Sequence, residues 1–555
     1  MKEKQTGSFL TEALIISVSN LIVKIVGVAF RIPMTNMLQD NMEMFTAAYS
    51  VYAMLFMISN AGVPVAISRM VAASHARGRK TEVDRIFKAG IIVYGILGFI
   101  CMSVMFFGAD AIASYSEHAD AAMAMRMISP SLFLVCILGA MRGYFQGHHI
   151  MQPTAYGQLI EVAFKFVIGV GAASYAVSHK LSPALQAAYA ISGITIGMVL
   201  ALIFTAVWKY FFEKKERTGE ITESIGYGEI AKTIAKVAIP VTLTSSLLYL
   251  SSFIDTLVIK KGLMNSGIAE TTAGSLYNAY STLSLSISDL LPSTLVFPIA
   301  ISILPAISAS LAKNDEKKTN YYIHSSIRIS AIIGFPCAFG LLAVARQALV
   351  LLYTAEWGSV IEWNGRICTS VDVATNGVRI LALGIMFISV LTTTNSILPA
   401  VKKSFVPTFS VFCGVVVLVI SEIVLVGTKS VGVYGAPIAS VLCYIVALSL
   451  NLFSLKKLGY LNDSIVSLFA KPLLCSVLCG ASAYAVVFLG NLVFTAETRF
   501  SSLVILCAAG VVGVVVYAVS MLAFKGITCD EVRILPKGNT LCAFLLRKGF
   551  IKEEK

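Results

Sequence analysis

FLTEALIISVSNLIVKIVGVAFRIPMT, residues 9–35, is long enough to cross a bilayer, yet it carries Lys24 and Arg31 inside the crossing. Seven residues, about two helical turns, separate the two cations, so they lie on nearly one face, about 10 Å apart along the axis. A lysine or arginine at the centre of a bilayer costs about 2.5–3.5 kcal/mol on insertion scales. Arg31 stands near the end of the span, within reach of the interface by snorkelling; Lys24 is too central for that. Both cations are therefore expected to face a wet, protein-lined cavity that receives something anionic.

The composition agrees with a membrane protein. A hydrophobic content of 57%, a charged content of 13% and a mean hydropathy of +0.82 exclude an ordinary soluble globule. A net charge of +13 would suggest nucleic acid if the basic residues formed one exposed patch. They lie instead in short segments between apolar runs, which is how membrane topology is written, so no nucleic-acid partner is expected. The first span is too long for a signal-peptide core and lacks a small-residue cleavage site, so it is expected to stay in the mature protein. The 11 cysteines fall mostly inside apolar runs. Cys475 and Cys479 share a helical face with no histidine or second cysteine pair nearby, and no metal site is expected. No phosphate-cradling GxxxxGK[ST] loop, HExxH helix or carboxylate cluster is present in the sequence, so neither ATP-driven work nor catalysis is expected and no catalytic residue is assigned.

At about 20 apolar residues per crossing, the chain reads as fourteen helices, near 11–35, 45–70, 88–108, 122–145, 154–177, 184–210, 237–260, 274–310, 323–353, 373–400, 405–428, 434–455, 466–494 and 500–524. With both termini inside, the segments on the cytoplasmic side hold 29 Lys and Arg residues and those on the opposite side hold 6. That asymmetry sets the orientation and supports an even number of spans. It places the chain as a multi-pass protein of a bacterial cytoplasmic membrane, in contact with membrane lipids.

Short matches point to a repeat. VPVAIS (63–68) ends the second helix and FPIAIS (297–302) the eighth; QPTA (152–155) opens the fifth and VPTF (406–409) the eleventh. Helices one to six thus map onto seven to twelve in the same membrane orientation, a parallel repeat suited to a transporter of two six-helix lobes with two appended helices. The expected organisation is an N-terminal lobe over 1–212, a linker over 213–236, a C-terminal lobe over 237–456, helices thirteen and fourteen over 457–524, and a basic cytoplasmic tail over 525–555.

Polar residues inside the spans are the candidates for function. Glu161 and Lys165 stand at i,i+4 with the acid first, the order that suits an intramembrane ion pair; a cavity role is the other reading. Asp255 follows Ser245, Ser246, Ser251 and Ser252 on the seventh helix and is a candidate to pair with Lys24 or to carry a proton or coupling ion. The eighth helix carries Ser275, Asn278, Ser281, Thr282, Ser284, Ser286, Ser288, Asp289, Ser293 and Thr294, with Pro292 and Pro298 to bend it. Some hydroxyls will bond to their own backbone, but so many suggest a polar cavity wall, with Asn278, Ser286 and Asp289 as its candidates. Arg69 and Arg328 lie near the cytoplasmic interface, as snorkelling residues or as a cavity floor.

KIVGVAFRIPM (24–34), AGVPVAISRMVAASHARGR (61–79) and MRGYFQGHHIMQPTAYGQLIE (141–161) resemble the polysaccharide-transporter branch of the multidrug/oligosaccharidyl-lipid/polysaccharide (MOP) exporter superfamily. Within it they look most like the Gram-positive stage V sporulation protein B and lipid II flippase group. The resemblance implies an all-α, V-shaped transporter that moves undecaprenyl-pyrophosphate-linked sugars from the inner to the outer leaflet. It also implies that Lys24 and Arg31 match two basic residues on the first helix of lipid II flippases, here with one lysine and a spacing one residue longer. The cavity arginines of those flippases on the second and eighth helices have no clear counterpart; Tyr49, Tyr52, Ser59 and Asn60, and Asp289, occupy those regions.

The leading expectation is a flippase for lipid II in which Lys24 and Arg31 hold the pyrophosphate. No cofactor is expected; H+ or Na+ are the candidates for a coupling ion. Three alternatives stand beside it: a flippase for another lipid-linked glycan, a cation-coupled drug exporter, and a non-transporting scaffold that recruits cell-wall synthesis machinery through its basic tail.

Overall fold

The computed structural model describes 29–215, 226–296, 315–354, 360–461 and 465–527, apart from 61, 78, 149, 364, 402, 404 and 495, and also the isolated positions 19, 22, 23, 26, 27, 307 and 358. The chain is helical almost throughout and divides into two compact units, Met1–Gly274 and Ser275–Lys555. Among the described residues, 11 helical segments are long and apolar enough to cross a membrane. This is an all-α, multi-pass membrane protein, but the expected count of fourteen spans is not reproduced. Ala29–Ser59 is one such segment, and most of the first expected span, 11–35, lies outside the described residues. The described parts of the expected seventh and eighth spans are helical and are not among the 11; most of the eighth beyond 296 lies outside the described residues.

In the first unit, a helix over 29–38 leads through a 3-10 turn (Gln39–Asn41) into α1 (Met42–Asn60) and then α2 (Val63–Ala76). The break between them falls at Gly62, where a Cβ would lie 2.5 Å from the Ala238 carbonyl oxygen; Pro64 then opens α2. There follow α3 (Lys80–Phe107), α4 (Ala109–Tyr115), α5 (Ala121–Ile128), α6 (Pro130–Gly147), α7 (Gln152–Ser178), α8 (Pro183–Lys215) and α9 (Tyr227–Asn265). The expected fourth span is one crossing segment, Ala121–Gly147, in which α5 gives way to α6 at Ser129, with Pro130 in the first turn of α6. Phe30, Met34, Val51, Met125, Ile128 and Ile191 are buried in one core, and Ile67, Ile86, Tyr144, Phe145 and Ile234 in another. Because Ile230, Ile234 and Ala238 belong to that second core, α9 packs within the first unit, and the compact division falls after Gly274 rather than inside 213–236.

Outside these cores the apolar residues face outward in stripes. On α3, Ile92, Ile96, Phe99, Ile100 and Val104 are all more than half exposed, at helical spacing. Such a stripe on a soluble protein would be an aggregation surface; here it is the face for lipid.

The second unit runs through α10 (Glu270–Asn278, which straddles the division), a π-helical turn (Ala279–Ser284), α11 (Leu285–Leu291) and a second π-helical turn (Pro292–Val296). Then come α12 (Glu316–Tyr353), a hairpin of β1 (Val360–Trp363) and β2 (Arg366–Thr369), α13 (Ser370–Ala400), α14 (Phe405–Val426), α15 (Gly435–Lys457), α16 (Ile465–Val493) and α17 (Arg499–Ala523). Thr369 and Asp372 cap α13 reciprocally. Gly432 adopts φ +52, and a Cβ there would sit 2.4 Å from the Trp363 ring, so glycine is required on both counts. Of the paired VPVAIS and FPIAIS segments, the first opens α2 and the second lies outside the described residues, as does the basic tail from 528 onward.

Candidate functional site

The polar interior of the first unit is built on α7 and α8. Gly193 and Gly197 of α8 press against the backbone of α7: a Cβ on Gly193 would meet Gly169 N at 2.5 Å and Lys165 O at 2.8 Å, and one on Gly197 would meet Glu161 O at 2.6 Å. Small residues let two membrane helices approach this closely. The backbone carrying Glu161 and Lys165 is thereby fixed from behind.

The two side chains go to different partners. Glu161 accepts from Arg142 of α6, Nη2 to Oε2 at 2.8 Å, with both side chains largely buried. Lys165 points its ammonium at aromatic faces instead, 4.8 Å from the centre of the Phe30 ring and 5.7 Å from that of Tyr49. The expected Glu161–Lys165 pair is thus replaced by an interhelical one. A guanidinium delivered from α6 satisfies the buried carboxylate, and the amine four residues on turns to the rings. Phe30 immediately precedes Arg31, which is half-buried in the opening helix. Tyr49 belongs to a file of rings along α1, in which Phe45, Tyr49, Tyr52 and Phe56 follow one another at 5.5 to 6.2 Å between centres.

A mid-membrane lysine costs about 2.5–3.5 kcal/mol to place, and contact with ring faces offsets about 0.5–2 kcal/mol. The balance leaves Lys165 a residue held at some cost to stability.

The remaining candidates are dispersed. Lys24 lies outside the described residues, and so does the side chain of Arg69. Asp255 is buried on α9. In the second unit, Asn278, Ser281, Thr282, Ser284 and Ser288 are buried, Ser286 is half-buried and Asp289 is exposed. The Ser284 hydroxyl donates to Ala279 O (3.0 Å), five residues back across the π turn, and to Ala374 O (3.2 Å); that of Ser286 donates to Thr282 O. Part of the hydroxyl-rich run is therefore spent on backbone carbonyls. Arg328 donates to Gly526 O at 2.7 Å, joining α12 to the chain that leaves α17.

Two charge clusters were not anticipated. In the first unit, Lys260 at the end of α9 lies 3.0 Å from Glu43 Oε1 and 3.6 Å from Glu270 Oε1, and it donates to the Glu117 carbonyl. His118 Nε2 is 3.3 Å from the same Glu43 oxygen, and its Nδ1 donates to Ser116 O at 2.5 Å. Burial, and then the charge of Lys260, pull His118 down to about 3 despite the Ser116 carbonyl. In the second unit, Arg346 of α12 holds Glu497 with two parallel bonds, both 2.7 Å, and Asp372 with a third of 2.6 Å. Neither cluster has a local signature, because its members come from three or more segments distant in sequence.

The fold is shared with solved transporters of the MOP superfamily. An inward-facing multidrug-resistance MATE-family transporter of the MOP superfamily superposes with a TM-score of 0.63 at 15% identity, over 80% of this chain and 100% of its own. The lipid II flippase MurJ in an inward closed conformation gives 0.65 at 15%, over 92% and 98%. The profile of the polysaccharide biosynthesis protein family matches residues 9–311, more than half of the chain, and the chain belongs to that family. Among relatives in Bacillus subtilis strain 168, the lipid II flippase MurJ is 22% identical over 92% of this chain and 94% of its own length. Stage V sporulation protein B is 21% identical over 96% and 98%.

Proposed function

We propose that this protein is a flippase that carries an undecaprenyl-pyrophosphate-linked glycan, lipid II first among the candidates, from the inner to the outer leaflet by alternating access. The observation that carries the reading is Arg31, a half-buried cation inside a membrane-crossing segment of a chain from the polysaccharide biosynthesis protein family. A pyrophosphate in a low-dielectric interior needs fixed positive charge. In this reading Arg31 and Lys24 supply it from the opening helix. Relatives named as a lipid II flippase and a sporulation protein support the cargo class, and the 29-to-6 distribution of basic residues supports cytoplasmic termini. Membrane potential or a coupling ion, H+ or Na+, resets the cycle, with Asp255 and Asp289 as its acidic candidates.

The test is lipid II exposure on the outer leaflet of cells depleted of their own flippases. Expression of this chain restores exposure, and Lys24→Ala/Arg31→Ala at equal membrane abundance does not. Restoration by both would remove the headgroup site. Failure of the well-inserted intact chain would move the cargo to another lipid-linked glycan.

A further inference from the structure

Lys165 stands at the midpoint of α7, thirteen residues from Gln152 and thirteen from Ser178. About 20 Å of helix lies on either side, farther than a lysine side chain can snorkel. Its direction is fixed by what surrounds it. Tyr156 and Val167 are exposed on the apolar face of α7, and helical spacing puts Lys165 on the side opposite them. Gly193 and Gly197 close the space along its backbone. The ammonium is left facing Phe30 and Tyr49, with the side chain half-buried.

Among the described residues the amine has no acceptor. Glu161, the nearest acid along the helix, is taken by Arg142. Among the described residues no carboxylate lies within ion-pair distance of Lys165 and no oxygen accepts from it, so its interactions are the two ring faces. An ammonium has three donors, and aromatic faces attract its charge without accepting those donors as an oxygen does. Intramembrane cations are normally paired unless they mark a substrate path.

We propose that Lys165 is a substrate-binding residue: its ammonium, set against Tyr49 and against Phe30, the residue before Arg31, takes a phosphate oxygen of a lipid-linked headgroup. The inference rests on the flippase reading above and adds a contact from a second helix to those of the opening one. The ring faces beside the amine suit the C–H side of a sugar attached to that phosphate.

The test uses the full chain, purified in detergent, with farnesyl pyrophosphate as the probe and farnesol and inorganic pyrophosphate as comparisons, read by titration calorimetry. The intact protein binds farnesyl pyrophosphate more tightly than either. Lys165→Met weakens that binding about tenfold or more, as expected for loss of one charge-assisted contact, while Lys165→Arg stays within a few-fold of the original. Undiminished affinity in Lys165→Met, together with a loss in Arg31→Met, would overturn the assignment and leave the phosphate reading standing. Equal binding of farnesol and farnesyl pyrophosphate by the intact chain would sink the phosphate reading and this inference with it. Inorganic pyrophosphate binding as tightly as the farnesyl ester would overturn the lipid-headgroup assignment. If Lys165→Met fails to insert, Lys165→Gln, which keeps a donor but no charge, carries the same expectation and the same reversal.

Discussion

Arg346 and Lys165 each put one positive charge on a membrane-crossing helix, and the protein treats them in opposite ways. Arg346 lies seven residues from the end of α12 and is ringed by carboxylate oxygens of Glu497 and Asp372 at 2.6 to 2.7 Å. Lys165 lies at the centre of α7 and has two aromatic faces. A guanidinium saturated by fixed acids ties helices together and has nothing left for a ligand. An ammonium with unspent donors contributes little to the fold and keeps its binding capacity. In the reading proposed above, the difference separates charge used for architecture from charge used for cargo.

The contrast breaks most visibly if the backbone behind Lys165 is disturbed. Gly193→Val places side-chain atoms where Gly169 N and Lys165 O already stand, within 2.8 Å of the new Cβ. Overpacking of this kind is expected to cost about 3 kcal/mol, the upper part of its usual range. The measurement is the thermal unfolding midpoint of the purified protein, with lipid II exposure falling in parallel. An unchanged midpoint would mean that α8 does not fix α7, and the aim ascribed to Lys165 would lose its support.

The Glu43–His118–Lys260 cluster adds a third treatment, in which one member of a charged group is kept neutral. With a folded value of about 3 against about 6.5 when free, His118 binds fewer protons in the folded state throughout that window. Its contribution is therefore complete above about pH 6.5 and is lost as the pH falls toward 3. Between pH 7 and pH 5 the loss is about 2 kcal/mol, read as a falling unfolding midpoint that flattens in His118→Asn. A midpoint that rises on acidification would show a protonated His118 held by Glu43, and the cluster would join Arg346 as an ordinary clamp.

Which of these treatments could be read in the sequence depends on how local the cause is. The apolar runs, the basic asymmetry and the membrane class follow from composition along the chain, and so do the breaks that proline enforces, Pro130 in the first turn of α6 among them. Glu161 and Lys165 were recognisable as polar residues in a span. The partner of Glu161 was not, because Arg142 reaches it from another helix across 19 residues of chain. Position i,i+4 permits a pair; it does not compel one when a second cation is nearer. The hydroxyls of the eighth segment follow the same rule in part: Ser284 and Ser286 bond carbonyls within their own turn, as the sequence expects of some of them.

Arg346→Met tests the architectural side of the comparison with a smaller effect. It leaves Glu497 and Asp372 without their guanidinium, but the three side chains are 30% to 42% exposed, so water can take its place. The expected loss is about 1 kcal/mol, seen as a lower unfolding midpoint, with outer-leaflet lipid II exposure unchanged once membrane abundance is matched. A loss of exposure with no loss of stability would assign Arg346 to the cargo side and erase the distinction.

Lys165→Met is its mirror image and has the smallest expected effect on stability. Methionine has a similar length, packs against the Phe30 and Tyr49 rings through its thioether, and removes a charge from the centre of a span. No acid is stranded by the change, because Glu161 keeps Arg142. The unfolding midpoint should therefore stay within about 0.5 kcal/mol of the parent or rise slightly, since surface-free replacement of a buried charge by an apolar side chain is often neutral or stabilising. Lipid II exposure should fall all the same. Stability unaffected and function lost is the signature of a cation kept for its cargo. A midpoint that drops as far as that of Arg346→Met would show that the ring faces alone make Lys165 a structural residue.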